Sequence, residues 1–205
     1  MLEQPIYAWT GTDAELRALV AAHPWVTMIS STTSGLVVSH LPILPGSEGT
    51  DILGHLARED AERHELGQCD VVVVVEGPHG YISAGWYVGG PYVSTWNFVV
   101  AHLHGRPRLL DAEQTYDVLD QTMQHFESAR PEPFALEQVS AYAHRIAPYV
   151  SGFRLRPTRV VAKTKLSQDK PAADVAAVLR GLEDSTDVHS NYALAVAMRT
   201  NGIPT

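Results

Sequence analysis

The chain has 205 residues, the upper end of one ordinary domain, and 45% of them are hydrophobic, enough for a sizeable core. Fifteen lysines and arginines stand against 23 aspartates and glutamates, and a net charge of −8 repels phosphate backbones, which argues against a nucleic-acid partner. The longest aliphatic run, 71–75, is far too short to cross a bilayer, and acidic residues near the N-terminus replace the apolar core of a signal peptide, so no membrane partner is expected.

Thr12-Asp13-Ala14-Glu15 is a capping-box pattern, and Leu16, Leu19 and Val20 follow at helical spacing, which predicts a helix that stops before His23-Pro24. Strand-like runs come next at 26–30, 36–41, 52–56, 70–76, 92–104 and 106–110, divided by Gly, Pro and Ser. Such spacing predicts a meandering barrel. Asp111 caps a helix carrying Val118, Leu119, Met123 and Phe126, and Pro131-Glu132-Pro133 then breaks the chain before a short helix at 139–146. Residues 152–165 read as one last long strand. From about 170 to 205 an amphipathic helix with Val175, Val178, Leu179 and Leu182 precedes a shorter one at 192–198. The chain therefore reads as a single domain over 1–205, mainly β with helices (α+β), with a C-terminal helical extension. Its one cysteine, Cys69, cannot form an internal disulfide, in keeping with a reducing cytoplasm.

Three segments carry candidate chemistry. The run Val93-Ser94-Thr95-Trp96-Asn97-Phe98 places Thr, Trp and Asn on a strand, and once buried each needs a partner for its polar atoms. Further along that strand His102 and His104 are two apart and share a face, opposite Val99, Ala101 and Leu103. The run 54–64 reads as a strand end entering a helix, where free N–H groups and the Arg58 guanidinium suit an anion. On that helix Asp60 and His64 are four apart, which places Asp60 to orient the His64 ring. The third run, Lys163 to Lys170, precedes Pro171, where a helix can begin; its cations suit an anion as well, and Ser167 and Gln168 are placed to cap the helix.

Together with Gly77-Pro78-His79-Gly80-Tyr81-Ile82-Ser83, these segments resemble the PaiB family, whose members are described as FMN-binding negative transcriptional regulators. The resemblance covers about 24 to 198. It implies a flavin-reductase-like split β-barrel with peripheral helices, a homodimer, and cofactor sites at the subunit interface. In an FMN-binding member Arg58, Lys163 and Lys165 would serve the phosphate and the isoalloxazine edge. This chain departs from the family pattern in several places. The family's Arg-x-Asn-Pro reads Arg58-Glu59-Asp60-Ala61, its Ser-Pro-Ser-Trp-Tyr reads Ser83-Ala84-Gly85-Trp86-Tyr87, and its Lys-Leu-Ser-Gln-Asn ends in Asp169.

One branch of the family, the piperazate synthases, is similar in sequence yet binds haem b and cyclises N5-hydroxy-L-ornithine to L-piperazic acid, forming an N–N bond with loss of water. The extra carboxylates Asp60 and Asp169, the acidic balance and ten histidines fit that haem site and a small cationic amino-acid substrate better than a flavin phosphate site. The resemblance therefore implies a cytoplasmic, dehydrating N–N bond-forming lyase, with an FMN-binding flavoprotein or regulator as the alternative. On the haem reading His55 first and His64 second are the metal ligands, and His55, His64 and Asp60 form the catalytic group. His55, Arg58, Trp96, Asn97, Lys163, Lys165, Ser167 and Gln168 then form the cofactor-binding set, with Trp86 beside Trp96 as a candidate wall. If neither imidazole serves, His102 and His104 are next.

Overall fold

A computed structural model describes residues 4–200. They form two compact units, a larger one of residues 11–75 and 102–160 and a smaller one of residues 4–10, 76–101 and 161–200.

The larger unit opens with α1 (Asp13–Ala22), closed at its start by a complete capping box in which Thr12 and Glu15 satisfy each other's backbone N–H. Its strands are β1 (Trp25–Thr32), β2 (Gly35–Pro45), β3 (Ile52–Ala57), the first part of β4 (Val71–Ile82), the end of β5 (Thr95–Gly105), β6 (Arg108–Leu109) and β7 (Val150–Leu155). Its other helices are α2 (Arg58–Arg63), α3 (Ala112–Glu127) and α4 (Ser140–Ile146). The strands follow the order β6-β7-β3-β2-β1-β4. Period-two burial fixes the core face: Val26 and Met28, Leu41 and Ile43, Ile52 and Leu56, Val71 and Val73 all point inward. Gly54 stands opposite Phe153 in the β3–β7 register, and a Cβ at position 54 would lie 2.6 Å from the Phe153 ring. The glycine of the Gly-His motif therefore makes room for a buried phenyl. Just before β3 the buried Asp51 carboxylate pairs with Arg154 at 2.6 Å and Arg156 at 3.2 Å, tying the strand start to β7 and its exit.

In the smaller unit the strands follow the order β4-β5-β8, with β8 (Arg159–Lys165) leading to α5 (Ala172–Glu183) and α6 (Tyr192–Thr200). Val178, Leu182, Leu194 and Met198 bury the facing stripes of the two helices completely. Gly181 admits the Trp86 indole, where a Cβ would meet the ring, and the indole N–H donates to Asp187 at 3.0 Å.

Several boundaries differ from the expectation. The strand expected at 152–165 is two strands, because Arg156-Pro157-Thr158 interrupts it and proline brings no N–H to a ladder. Pro107 similarly reduces 106–110 to the two-residue β6. β4 runs six residues past Glu76 to Ile82, and β5 starts at Thr95, after Gly89-Gly90-Pro91. Among the described residues no helix is long and apolar enough to cross a membrane.

Candidate functional site

The sequence-derived candidates divide between the units. His55, Arg58, Asp60 and His64 lie in the larger one, while Trp96, Asn97, Lys163, Lys165, Ser167 and Gln168 lie in the smaller one.

In the larger unit His55 is on the face of β3 opposite the core, half-buried, and in register with Gly152 of β7. Thr115 of α3 covers that face: it accepts the Gly152 N–H on its hydroxyl at 3.2 Å. The Nδ1 of His55 is buried without a hydrogen-bond partner, and burial pushes the ring's pKa below the usual imidazole range. His55 is therefore a neutral imidazole with a donor atom unspent by the protein, which is the state a metal takes. Three residues on, Arg58 opens α2 with an exposed guanidinium that has no ion-pair partner among the described residues. It lines a cavity of about 730 Å³ walled by α2, the first turns of α3, the end of α4 and β7. Its lining includes the apolar Ala61, Leu66, Leu109 and Val150 and the carboxylates Glu62, Asp111, Glu113 and Asp117.

His64 corrects an expectation. It is fully buried, its Nδ1 lies 2.7 Å from the Ser30 hydroxyl and its Nε2 lies 2.8 Å from the Ser39 hydroxyl. Both ring nitrogens are thus spent on serines, which leaves no lone pair for iron. Burial lowers its pKa, opposed by the nearby Asp60. Asp60 does not hydrogen-bond the ring; it pairs with Arg63 at 3.7 Å, and only its carbonyl accepts the His64 N–H. The reason is geometric: α2 ends at Arg63, so His64 is its C-cap and turns toward β1 and β2 instead of along the helix. Ser30 and Ser39 escaped the sequence reading. Their signal was available, since Ser30 shares the inward phase of Val26 and Met28, and Ser39 that of Leu41.

In the smaller unit Asn97 is fully buried and donates to the Ser167 hydroxyl at 2.9 Å, while its Oδ1 has no partner. Trp96, expected to be buried, alternates to the other face and is 54% exposed. It lies near His79 and Tyr81 and lines a smaller cavity of about 340 Å³ with His79, Glu76 and Phe98. The cations of the third motif are engaged: Lys163 donates to Gln4 at 3.1 Å, and Lys165 to Thr95 and the Trp96 carbonyl. Burial pushes the Lys165 pKa down, while Asp169 opposes that shift. Ser167 and Gln168 do not cap α5. Gln168 folds back onto the Leu166 N–H at 2.7 Å and the Thr164 carbonyl at 2.6 Å, and α5 begins after Pro171 with no side-chain cap. The first turn of α5 already carries the Asp174 carboxylate, buried and bonded at 2.8 Å to the N–H groups of Val88 and Gly89. Back in the larger unit, His102 and His104 share a half-buried face of β5 as expected, and Nδ1 of His104 lies 3.1 Å from Arg159.

A family described as a putative FMN-binding domain matches residues 4–159. Protease synthase and sporulation protein PAI 2 of Bacillus subtilis (strain 168) is 26% identical over 186 residues, spanning 88% of each chain. The FAD- and haem-binding protein of Mycobacterium smegmatis is similar in structure, with a TM-score of 0.59 and 13% identity over 83% of this chain and 80% of that one. The flavocytochrome Anf3 of Azotobacter vinelandii follows with a TM-score of 0.55 and 14% identity over 74% of this chain and 66% of that one. Identities this low speak for the fold alone, an α+β split barrel.

Proposed function

Because the chain belongs to the PaiB-like family of FMN-binding domains, we propose that it is a haem-dependent piperazate synthase, closing N5-hydroxy-L-ornithine to L-piperazic acid. The observation that carries this reading is the buried, unpartnered Nδ1 of a neutral His55. A neutral imidazole on a strand is held by the sheet, and a donor atom the fold leaves unsatisfied would suit a bond to the haem iron. Haem b would supply a Lewis-acidic iron that weakens the substrate N–O bond.

The bond changes balance without an external oxidant or reductant. The α-amine lone pair forms the N–N bond while the N–O electrons leave on oxygen, which departs as water with a proton given up by the amine. Both nitrogens belong to one molecule, so the protein's contribution is to hold the chain folded with its ends together. Arg58, which has no ion-pair partner among the described residues, would serve an anionic group, either a haem propionate or the substrate carboxylate. Trp96 offers an exposed ring face in the smaller unit.

An FMN-binding flavoprotein or regulator is the second reading, favoured by the family description and by the unpaired, buried Oδ1 of Asn97, an acceptor for an imide N–H. The absorption spectrum separates the two. A Soret band and piperazic acid formation from N5-hydroxy-L-ornithine are expected; stoichiometric FMN released on denaturation, with no haem, sinks the proposal.

The same reading includes a homodimer in the cytoplasm. Its support is an apolar sheet face in the larger unit: Trp25, Leu36 and Val38 are 66%, 75% and 55% exposed, with half-buried Ile29, Val72 and Val74 beside them. A second copy would cover it.

A further inference from the structure

In the smaller unit β8 ends the strand order, and the N-terminal segment 4–10 lies along it over one lysine of the third motif. Ala8 forms an isolated antiparallel bridge with Lys163, and the Trp9 N–H donates to the Ala162 carbonyl at 3.1 Å. The Lys163 ammonium is 5.4 Å from the centre of the Tyr7 ring, 5.9 Å from that of Phe98 on β5, and donates to the Gln4 side chain at 3.1 Å. Lys163 is left 8% exposed. The partners of Lys165 are Thr95 and Trp96, and Lys170 pairs with Asp169, so Lys163 is the cation that the segment covers.

The cover is lightly held. Of residues 4–10 only Tyr7 is buried, Trp9 is half-buried and the others are exposed. Burial and the nearby Asp169 carboxylate push the Tyr7 phenol above its usual range, so it keeps its proton beside an acceptor. A stretch with one buried anchor opens locally at lower cost than the sheet it lies on.

We propose that residues 4–10 are an autoinhibitory strap with Tyr7 as its latch, and that an oxyanion reaches the Lys163 ammonium only when the strap lifts. Lifting takes away the Gln4 oxygen and one aromatic ring, and leaves the ammonium beside Phe98 with donors to offer. The oxyanion is a haem propionate or a flavin phosphate, and the strap rests on the proposed function only in giving Lys163 a cofactor to hold.

Inorganic phosphate and acetate, titrated into the full chain at constant ionic strength, test this by calorimetry and by hydrogen exchange at the Trp9 amide. Tyr7→Ser should bind one of the two anions about tenfold tighter than wild type and exchange the Trp9 amide about tenfold faster. Gln4→Ala, at an exposed position, should move both readings the same way by a smaller factor. In wild type the anion should speed Trp9 exchange, because the bound form is the lifted one. Adding Lys163→Gln to Tyr7→Ser should abolish the tightening. Preference for phosphate points to a flavin phosphate and preference for acetate to a haem propionate; either supports the strap. Affinity unchanged in both variants, binding absent from every chain, or tightening that survives Lys163→Gln overturns it. So does an anion that slows Trp9 exchange, since the segment would then complete the site instead of blocking it. The haem or FMN content of the purified protein decides the cofactor reading separately and does not enter these comparisons.

Discussion

Gly152 of β7 stands directly opposite His55 of β3, and its missing side chain lets Thr115 of α3 close over that face. A Cβ at position 152 would lie 2.8 Å from the Thr115 hydroxyl and 3.1 Å from its Cα, so the helix itself would have to move. Gly152→Ala is therefore expected to cost about 1–3 kcal/mol in urea unfolding. It should also shift the spectrum of a cofactor held by His55. Thr115→Ala in the same chain removes the nearer contact and should restore part of the loss; equal stability of Gly152→Ala and wild type would mean that α3 does not bear on the sheet here.

His64→Ala should be costly for stability and silent for the cofactor. The substitution strands two hydroxyls, one of them the fully buried Ser30, and leaves a cavity, for a loss of about 3 kcal/mol. His55→Ala should do the reverse, removing the bound-cofactor spectrum at small cost to folding. Loss of the spectrum in His64→Ala at unchanged stability would return His64 to the metal.

Acid should weaken the fold through its histidines. Burial lowers the pKa of His55, His64, His102 and His104, reinforced at His104 by Arg159. An unfolded histidine takes up its proton near pH 6.5, whereas these rings resist until lower pH, so unfolding binds protons in between. Their contribution is complete above about pH 6.5 and declines as the pH falls toward the lowered values. Urea midpoints measured across that window should drop, and the slope should be shallower in His64→Ala, which has one fewer such group.

Val38→Glu should yield a monomer. The residue is 55% exposed on the apolar face of β1 and β2, and a carboxylate there cannot be buried against a second copy without a partner. Light scattering at micromolar concentration reads the mass; a wild-type monomer, or a variant dimer, removes that face as the interface.

Much of the architecture was legible because local signals agreed with one another. Thr12 and Glu15 announced α1, Asp111 announced α3, and the aliphatic run 71–75 announced β4. Where a proline interrupts an otherwise strand-like run, as at Pro107 and Pro157, composition alone did not show that the ladder stops. The site was legible only in part, for a different reason. The motif gave His55 and Arg58, but the partners of His64 come from β1 and β2, 34 and 25 residues away, and no helical spacing reveals them. Trp96 was misjudged because an indole on a strand reads as core, while the alternation of β5 had already assigned the buried phase to Asn97. Glu113 and Asp117 look like ordinary solvent-facing helix residues until α2 and α4 are seen to wall the space beside them.

The side chain of Gln168 closes two small rings with its own backbone, one through Leu166 and one through Thr164, and between them Ser167 is held in the left-handed region at φ 68°. A loop that is its own template needs no guest to give it shape. Its amide protons at 166 should therefore exchange slowly with deuterated solvent even in protein stripped of cofactor, and a molecule arriving against it would lose little chain entropy on docking.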